Sequence, residues 1–196
     1  MNHNFESMTR IRSHFQESAE LAQQLLRDES FLESTEAGAQ LIVQALSKGG
    51  KVLTCGNGGS MCDAMHFAEE MSGRYRDNRK PFAAIALSDP SALTCIGNDF
   101  GFEHVFARQV EALGRAGDVL LAISTSGNSS NVLRAAEKAK STGMTVLALT
   151  GNGGGELSRL ADVHVCVPWS GYADRIQEVH IRCIHSWIDA VEIALT

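Results

Sequence analysis

The chain has 196 residues, 44% hydrophobic and 20% charged, enough for one sizeable core and too few for two ordinary domains, and this composition excludes long disorder. Lys and Arg number 17 against 23 Asp and Glu, and the net charge of -6 repels a phosphodiester backbone, so nucleic acid is not an expected partner. The longest uninterrupted apolar stretch, Phe82 to Leu87, falls far short of the roughly 20 residues of a membrane span, and MNHNFESMTR lacks the apolar segment of a secretory signal, so no membrane partner and a cytoplasmic location are expected.

Phe5, Met8, Ile11, Phe15, Ala19, Ala22 and Leu25 step by threes and fours and predict one long amphipathic helix. Leu32 to Lys48 predicts a second, stopped by Gly49 and Gly50, and residues 1–50 therefore read as a helical arm. From residue 51 to 196 the pattern changes to short β-favouring runs followed by helical stretches. Five strands are expected: Lys51 to Cys55, Phe82 to Leu87, Asp118 to Ser124, Met144 to Thr150 and Asp162 to Val167. Most are apolar at consecutive positions, as strands covered on both faces must be, whereas Val163, Val165 and Val167 alternate with His164 and Cys166 as an edge strand does. The predicted fold class is α/β, a three-layer α/β/α sandwich on a five-stranded parallel sheet. Cys55, Cys62, Cys95, Cys166 and Cys183 form no CxxC pair and are read as reduced structural thiols.

In open parallel sheets ligands lie beyond the carboxyl ends of the strands, which directs attention to the strand-to-helix turns. The first, Cys55-Gly56-Asn57-Gly58-Gly59-Ser60, is no dinucleotide fingerprint, because Met61 occupies the third glycine position, and no GxxxxGK sequence supports a P-loop. The third, Ser124-Thr125-Ser126-Gly127-Asn128-Ser129, sets four hydroxyls where a helix begins. Such hydroxyls either converge with free amides and the helix dipole on a phosphate or simply cap the helix.

Met61 to Glu70 reads as a helix with His66 and Glu70 one turn apart. An imidazole and a carboxylate so placed can share a divalent metal, act as a base and its orienting partner, or be ordinary surface neighbours. The last helix, from about Ala173 to Leu195, carries Asp174, Gln177, His180 and His185. Gln177 and His185 lie about 12 Å apart along its axis and about 80° around it, so their tips approach one ion only at full stretch. By spacing alone both are ordinary helix residues.

Taken together, Cys55-Gly-Asn-Gly-Gly-Ser60, Asp63-Ala-Met-His-Phe-Ala-Glu-Glu70, Gly97-Asn-Asp-Phe-Gly101, Ile123-Ser-Thr-Ser-Gly-Asn-Ser129 and Gly171-Tyr-Ala-Asp-Arg-Ile-Gln-Glu-Val-His180 closely resemble the sedoheptulose 7-phosphate isomerase family of sugar isomerase (SIS) domain proteins. The resemblance covers essentially the whole chain, and it implies a flavodoxin-like SIS fold and a homotetramer with active sites shared between subunits, while the broad apolar face of the helical arm is itself the expected assembly surface. It also implies conversion of sedoheptulose 7-phosphate to D-glycero-D-manno-heptose 7-phosphate, the first step of ADP-heptose synthesis for lipopolysaccharide core. By the same resemblance Asn57, Gly58 and Gly59 match one substrate loop, Asn98 and Asp99 a second, and Ser124, Thr125, Ser126 and Ser129 the phosphate cradle. His66, Glu70, Gln177 and His185 match a site for one zinc ion per subunit. Gln177 and Glu70 also face the substrate there, and Asp174 matches an acidic residue near it.

Moving a proton between neighbouring carbons through an enediolate requires a base, an acid and a means of stabilising the anion. The resemblance makes Glu70 the base and His185 the second proton carrier. The rival from another functional class is a non-catalytic SIS protein that binds the bacterial replication initiator. Such a protein has no need to keep His66, Glu70 and His185 together.

Overall fold

Consecutive apolar residues in the strands build a sheet that is covered on both sides. The computed structural model describes the backbone of residues 3–196 and the side chains from residue 7 onward, so the expected apolar side chain of Phe5 lies outside the described residues. β1 (Val52–Cys55), β2 (Ala84–Ala86), β3 (Val119–Ser124), β4 (Thr145–Thr150) and β5 (Val163–Cys166) form one parallel sheet in the order β2-β1-β3-β4-β5. The register pairs Val52 with Val119 and Ser124 with Thr150. Because successive side chains leave a strand on opposite faces, Val119, Leu121 and Ile123 enter one core while Leu120 and Ala122 enter the other.

The first core lies under α1 (His3–Leu25), α2 (Glu29–Ser47), α3 (Gly59–Ser72) and α8 (Ala173–Leu195), and centres on Phe67 and Trp187. The second lies under α4 (Pro90–Phe100), α5 (Ala107–Leu113), α6 (Ser130–Ser141) and α7 (Leu157–Leu160), and contains Phe106 and Val132. The result is the expected α/β/α sandwich. Leu21 and Leu25 join α1 to the first core, but Met8, Ile11 and Phe15 on the same helix are exposed, Phe15 by 77%.

Several boundaries differ from expectation for identifiable reasons. α2 begins at Glu29 rather than Leu32 because the Asp28 carboxylate accepts the Phe31 N–H at 3.0 Å and caps the helix. The apolar run Phe82 to Leu87 contributes only three strand residues, and β2 is an edge strand with Ile85 exposed. With only β1 beside it, β2 has one strand to hold its ladder, and consecutive apolar residues do not make it a central strand. β5, the other edge, is the alternating strand predicted for that place.

In this strand order the chain leaves β1 toward β2 on one side and returns on the other side at β3. The crevice between the carboxyl ends of β1 and β3 is thus the point where the winding reverses, the usual ligand position in such sheets. The turn ahead of α3 and the turn ahead of α6 flank it.

Candidate active site

At the crevice the two flanking turns are bonded to each other. The side-chain amides of Asn57, after β1, and Asn131, in the first turn of α6, donate to one another at 2.8 Å in both directions. The N-cap residue of neither helix beginning here bonds the helix with its side chain, and in α6 it is Asn131 Oδ1 that accepts the Val132 N–H, at 3.0 Å. Gly58 stands at the N-cap of α3 with φ 55, and Ser129 at the N-cap of α6 makes no capping bond. The Ser129 hydroxyl instead meets the Ser124 hydroxyl at 3.0 Å, so the capping reading of this serine does not hold. Two helix N-termini without a capping bond from their N-cap residues, and a group of hydroxyls at the same crevice, suit an anion.

The turn from Ser124 to Ser129 is braced from behind. Gly151 N–H donates to the Thr125 carbonyl at 3.0 Å, Leu157 N–H donates to the Gly127 carbonyl at 2.9 Å, and Glu156 N–H donates to the Asn128 side chain at 3.0 Å. Gly127 has φ +66, and any Cβ there would collide with the Gly154 carbonyl, so this close approach of two loops requires glycine. Ser124 is buried at the end of β3, Thr125 is half-buried, and Ser126 is exposed, with its hydroxyl accepting the Asn128 N–H at 3.2 Å.

α3 and α8 lie side by side and run in the same direction. The first contact along them is Gln177 against Gly59, where the side-chain amide fills the space that a Cβ would need. About two helical turns further, His66 and His185 face each other with Nε2 atoms 3.1 Å apart and rings at 67°. Glu70 Oε1 lies 3.5 Å from His66 Nε2, and Glu69 Oε1 lies 3.4 Å from His66 Nδ1. Glu70 Oε2 is buried without a hydrogen-bond partner. His66, Glu70 and His185 therefore converge within one chain. Gln177 has no hydrogen bond to any of the three among the described residues.

The two histidines of α8 are separated by the packing. His180 is fully buried, with Nε2 3.1 Å from the Thr150 carbonyl and Nδ1 unpartnered. Burial drives its pKa down to about 4, against a smaller upward effect of the Thr150 bond, so it stays neutral and out of reach of any substrate. Asp174, in the first turn of α8, is exposed; the Arg175 backbone N–H at 2.8 Å and the Arg175 guanidinium hold its carboxyl below the usual range. Asn98 and Asp99 are exposed on the last turn of α4 rather than in a loop, and the Asn98 amide donates to Asp99 Oδ1 at 2.7 Å. The described contacts do not tie that pair to the trio.

Three neighbours of the trio were not singled out by sequence reasoning. Asp63, one turn before His66, has a buried unpartnered Oδ2, and burial pushes its carboxyl up to about 6 despite the pull of His66. Its i, i+3 spacing to His66 was a readable signal. Tyr75 stacks on His185 with centroids 5.7 Å apart, and Arg79 reaches back to the Glu70 carbonyl at 2.7 Å. No spacing rule connects those two to the site.

Two imidazole nitrogens aimed at each other beside a buried carboxylate oxygen that lacks a partner are a nitrogen and oxygen donor set of the kind zinc takes. The trio thus fits a divalent metal, and Glu69 is near enough to extend the same group.

Residues 13–151 match the SIS domain family. Phosphoheptose isomerase of Aeromonas hydrophila is 59% identical over 182 residues, which cover 93% of this chain and 95% of that protein. The structure of a phosphoheptose isomerase from Neisseria gonorrhoeae is 47% identical and superposes with a TM-score of 0.88 over 95% of this chain and 98% of that one. A phosphoheptose isomerase from Francisella tularensis is 38% identical, with a TM-score of 0.90 over the same shares.

Proposed function

Because the chain belongs to the phosphoheptose isomerase family of SIS-domain proteins and is an aldose–ketose isomerase of sugar phosphates, we propose that its chemistry is carried by the trio His66, Glu70 and His185. The supporting observation is their convergence from α3 and α8 within one chain, with Glu70 Oε2 left without a partner. The substrate is sedoheptulose 7-phosphate and the product D-glycero-D-manno-heptose 7-phosphate, an early intermediate on the way to ADP-heptose and lipopolysaccharide core. Incubating the purified protein with the ketose and detecting the aldose tests this directly, and absence of product would overturn it. The alternative of a non-catalytic binder of the replication initiator is set aside, since the relatives at 56–59% identity carry the name of an isomerase.

Glu70 takes the C1 proton of the open-chain ketose, and His185 exchanges a proton with the neighbouring oxygens. A zinc ion, one per subunit, would be held by His66, Glu70 and His185, and Gln177, whose amide is packed against Gly59, would be the weakest of the four donors. When bound, the ion supplies Lewis acidity toward the carbonyl and hydroxyl oxygens. On the family resemblance we assign Asn57, Gly58, Gly59, Asn98, Asp99 and Asp174 to binding of the sugar. Tyr75, stacked on His185, keeps that imidazole turned toward His66.

The phosphate rests on Ser124, Thr125, Ser126 and Ser129, where the hydroxyls and the start of α6 meet. Replacing Ser124 and Ser126 together by alanine removes two donors to a dianion, each worth about 1.5 to 3 kcal/mol. KM for the sugar phosphate is expected to rise at least about tenfold with the fold unchanged by circular dichroism. An unaltered KM would leave the turn as a structural element only.

Residues 1–50 form an assembly arm, and a homotetramer covers the exposed Met8, Ile11 and Phe15 of α1. Light scattering is expected to give a mass well above the 21.1 kDa of one chain, and a clean monomer would exclude the arm as an assembly surface. Among the described residues no helix is long and apolar enough to cross a membrane, which is compatible with the cytoplasmic location we assign.

A further inference from the structure

We propose that Arg79 is a positioning residue that, held by Glu192, clamps the carboxyl end of α3 and so fixes the backbone carrying Glu70. The inference rests on Glu70 as the base. The last carbonyls of a helix lack partners within it, and a cation beside them is favoured both by the helix dipole and by hydrogen bonding. Arg79 meets that need from outside the helix. Its Nη2 donates to the Glu70 carbonyl at 2.7 Å, and its Nη1 donates to Met71 and Gly73 at 2.9 and 3.3 Å. Nε donates to Glu192 Oε1 at 2.8 Å, and the guanidinium lies over the Phe82 ring at 4.7 Å.

The Arg79 and Glu192 side chains are only 2% and 9% exposed, so this is a buried pair whose charges must be matched where they stand. The carbonyl bonds give the guanidinium its remaining partners. Lysine carries the same charge at one point and cannot fork to carbonyls and carboxylate at once.

The segment between α3 and β2 also binds α8 in order. Tyr75 stacks on His185, Arg76 pairs with Asp189 at 2.6 Å, and Arg79 pairs with Glu192. His185, Asp189 and Glu192 stand at i, i+4 and i+7, which is one face of α8. The segment thus straps the helix carrying His66 and Glu70 to the helix carrying His185, with the guanidinium clamp at its far end. The outer pair is different in kind, because Arg76 is 63% exposed and contributes little by itself.

Steady-state kinetics of the full-length protein with sedoheptulose 7-phosphate test the clamp. Arg79→Lys is expected to lower kcat by about tenfold or more, as misplacement of a base does, while KM stays within about twofold because the phosphate turn belongs to other elements. Methylguanidinium is expected to restore kcat to Arg79→Ala, and ethylammonium is not. Arg76→Ala serves as the control and keeps wild-type kinetics.

A folded Arg79→Lys with kcat within twofold of wild type would overturn the proposal, as would activity lost only in proportion to the unfolded fraction seen by circular dichroism. Should Arg79→Lys fail to fold, Glu192→Gln decides: a lowered kcat with KM kept supports the clamp, and wild-type kcat overturns it. A wild-type protein that forms no aldose, or a Glu70→Gln variant that keeps its activity, would instead strike the reading on which the clamp rests.

Discussion

Glu70→Gln is expected to abolish exchange of the C1 proton with deuterated water while leaving most sugar-phosphate binding in place. Glutamine keeps the shape and one oxygen of the side chain but cannot accept a proton, and a positioned general base is worth about 10²- to 10⁴-fold. The site is arranged for this role: Glu70 Oε1 faces His66 at 3.5 Å, while Oε2 is buried and has no protein partner. Loss of the substrate H1 signal by proton NMR provides the measurement. Exchange near the wild-type rate would move the base elsewhere. Asp174 is a poor substitute, being exposed and tied to Arg175, and His180 is excluded by its burial against Thr150. Asp63 would then be the next residue to replace, since its carboxyl, raised to about 6, lies beside His66.

Chelation is expected to suppress isomerisation, and added zinc to restore it. A Lewis acid at the reacting oxygens contributes several kcal/mol, so the loss is about 10²-fold or more. His66→Ala should act chiefly through metal affinity and recover part of its loss in excess zinc. His185→Ala should recover less, because the same imidazole is assigned a proton-transfer role. Imidazole binds a metal only when neutral, so acidification competes with zinc and activity falls toward low pH. Raising the zinc concentration should move that fall to lower pH. Because His66, Glu70 and His185 meet within one chain, mixing Glu70→Gln with His185→Ala subunits is expected to regain no activity beyond that of the two variants alone. Full activity after EDTA dialysis, with zinc absent by elemental analysis, would remove the metal from the reading.

The sequence alone determined the layered α/β architecture, because the cause of each element is local. β3 and β4 are apolar at every position that must meet one of two cores, and the spacing of α8 keeps Ile176, Val179, Ile184, Trp187 and Ile188 on the buried side. The hydroxyl turn and the His66/Glu70 pair were legible for the same reason, since both lie within a few residues of each other. What depends on a distant partner was not legible. β2 shrank to three residues because it has a neighbour on one side only. The earlier start of α2 is a different case, since the Asp28 cap on the Phe31 amide is local and was a readable signal. Spacing could not choose between His180 and His185, five residues apart on one helix. Tertiary packing made that choice by turning His180 under β4 and His185 toward α3. Tyr75, Arg79 and Glu192 carry no sequence signature of their own. Arg79 and Glu192 are separated by 113 residues, and only the parallel packing of α3 against α8 brings a charge from the segment after one helix to the end of the other.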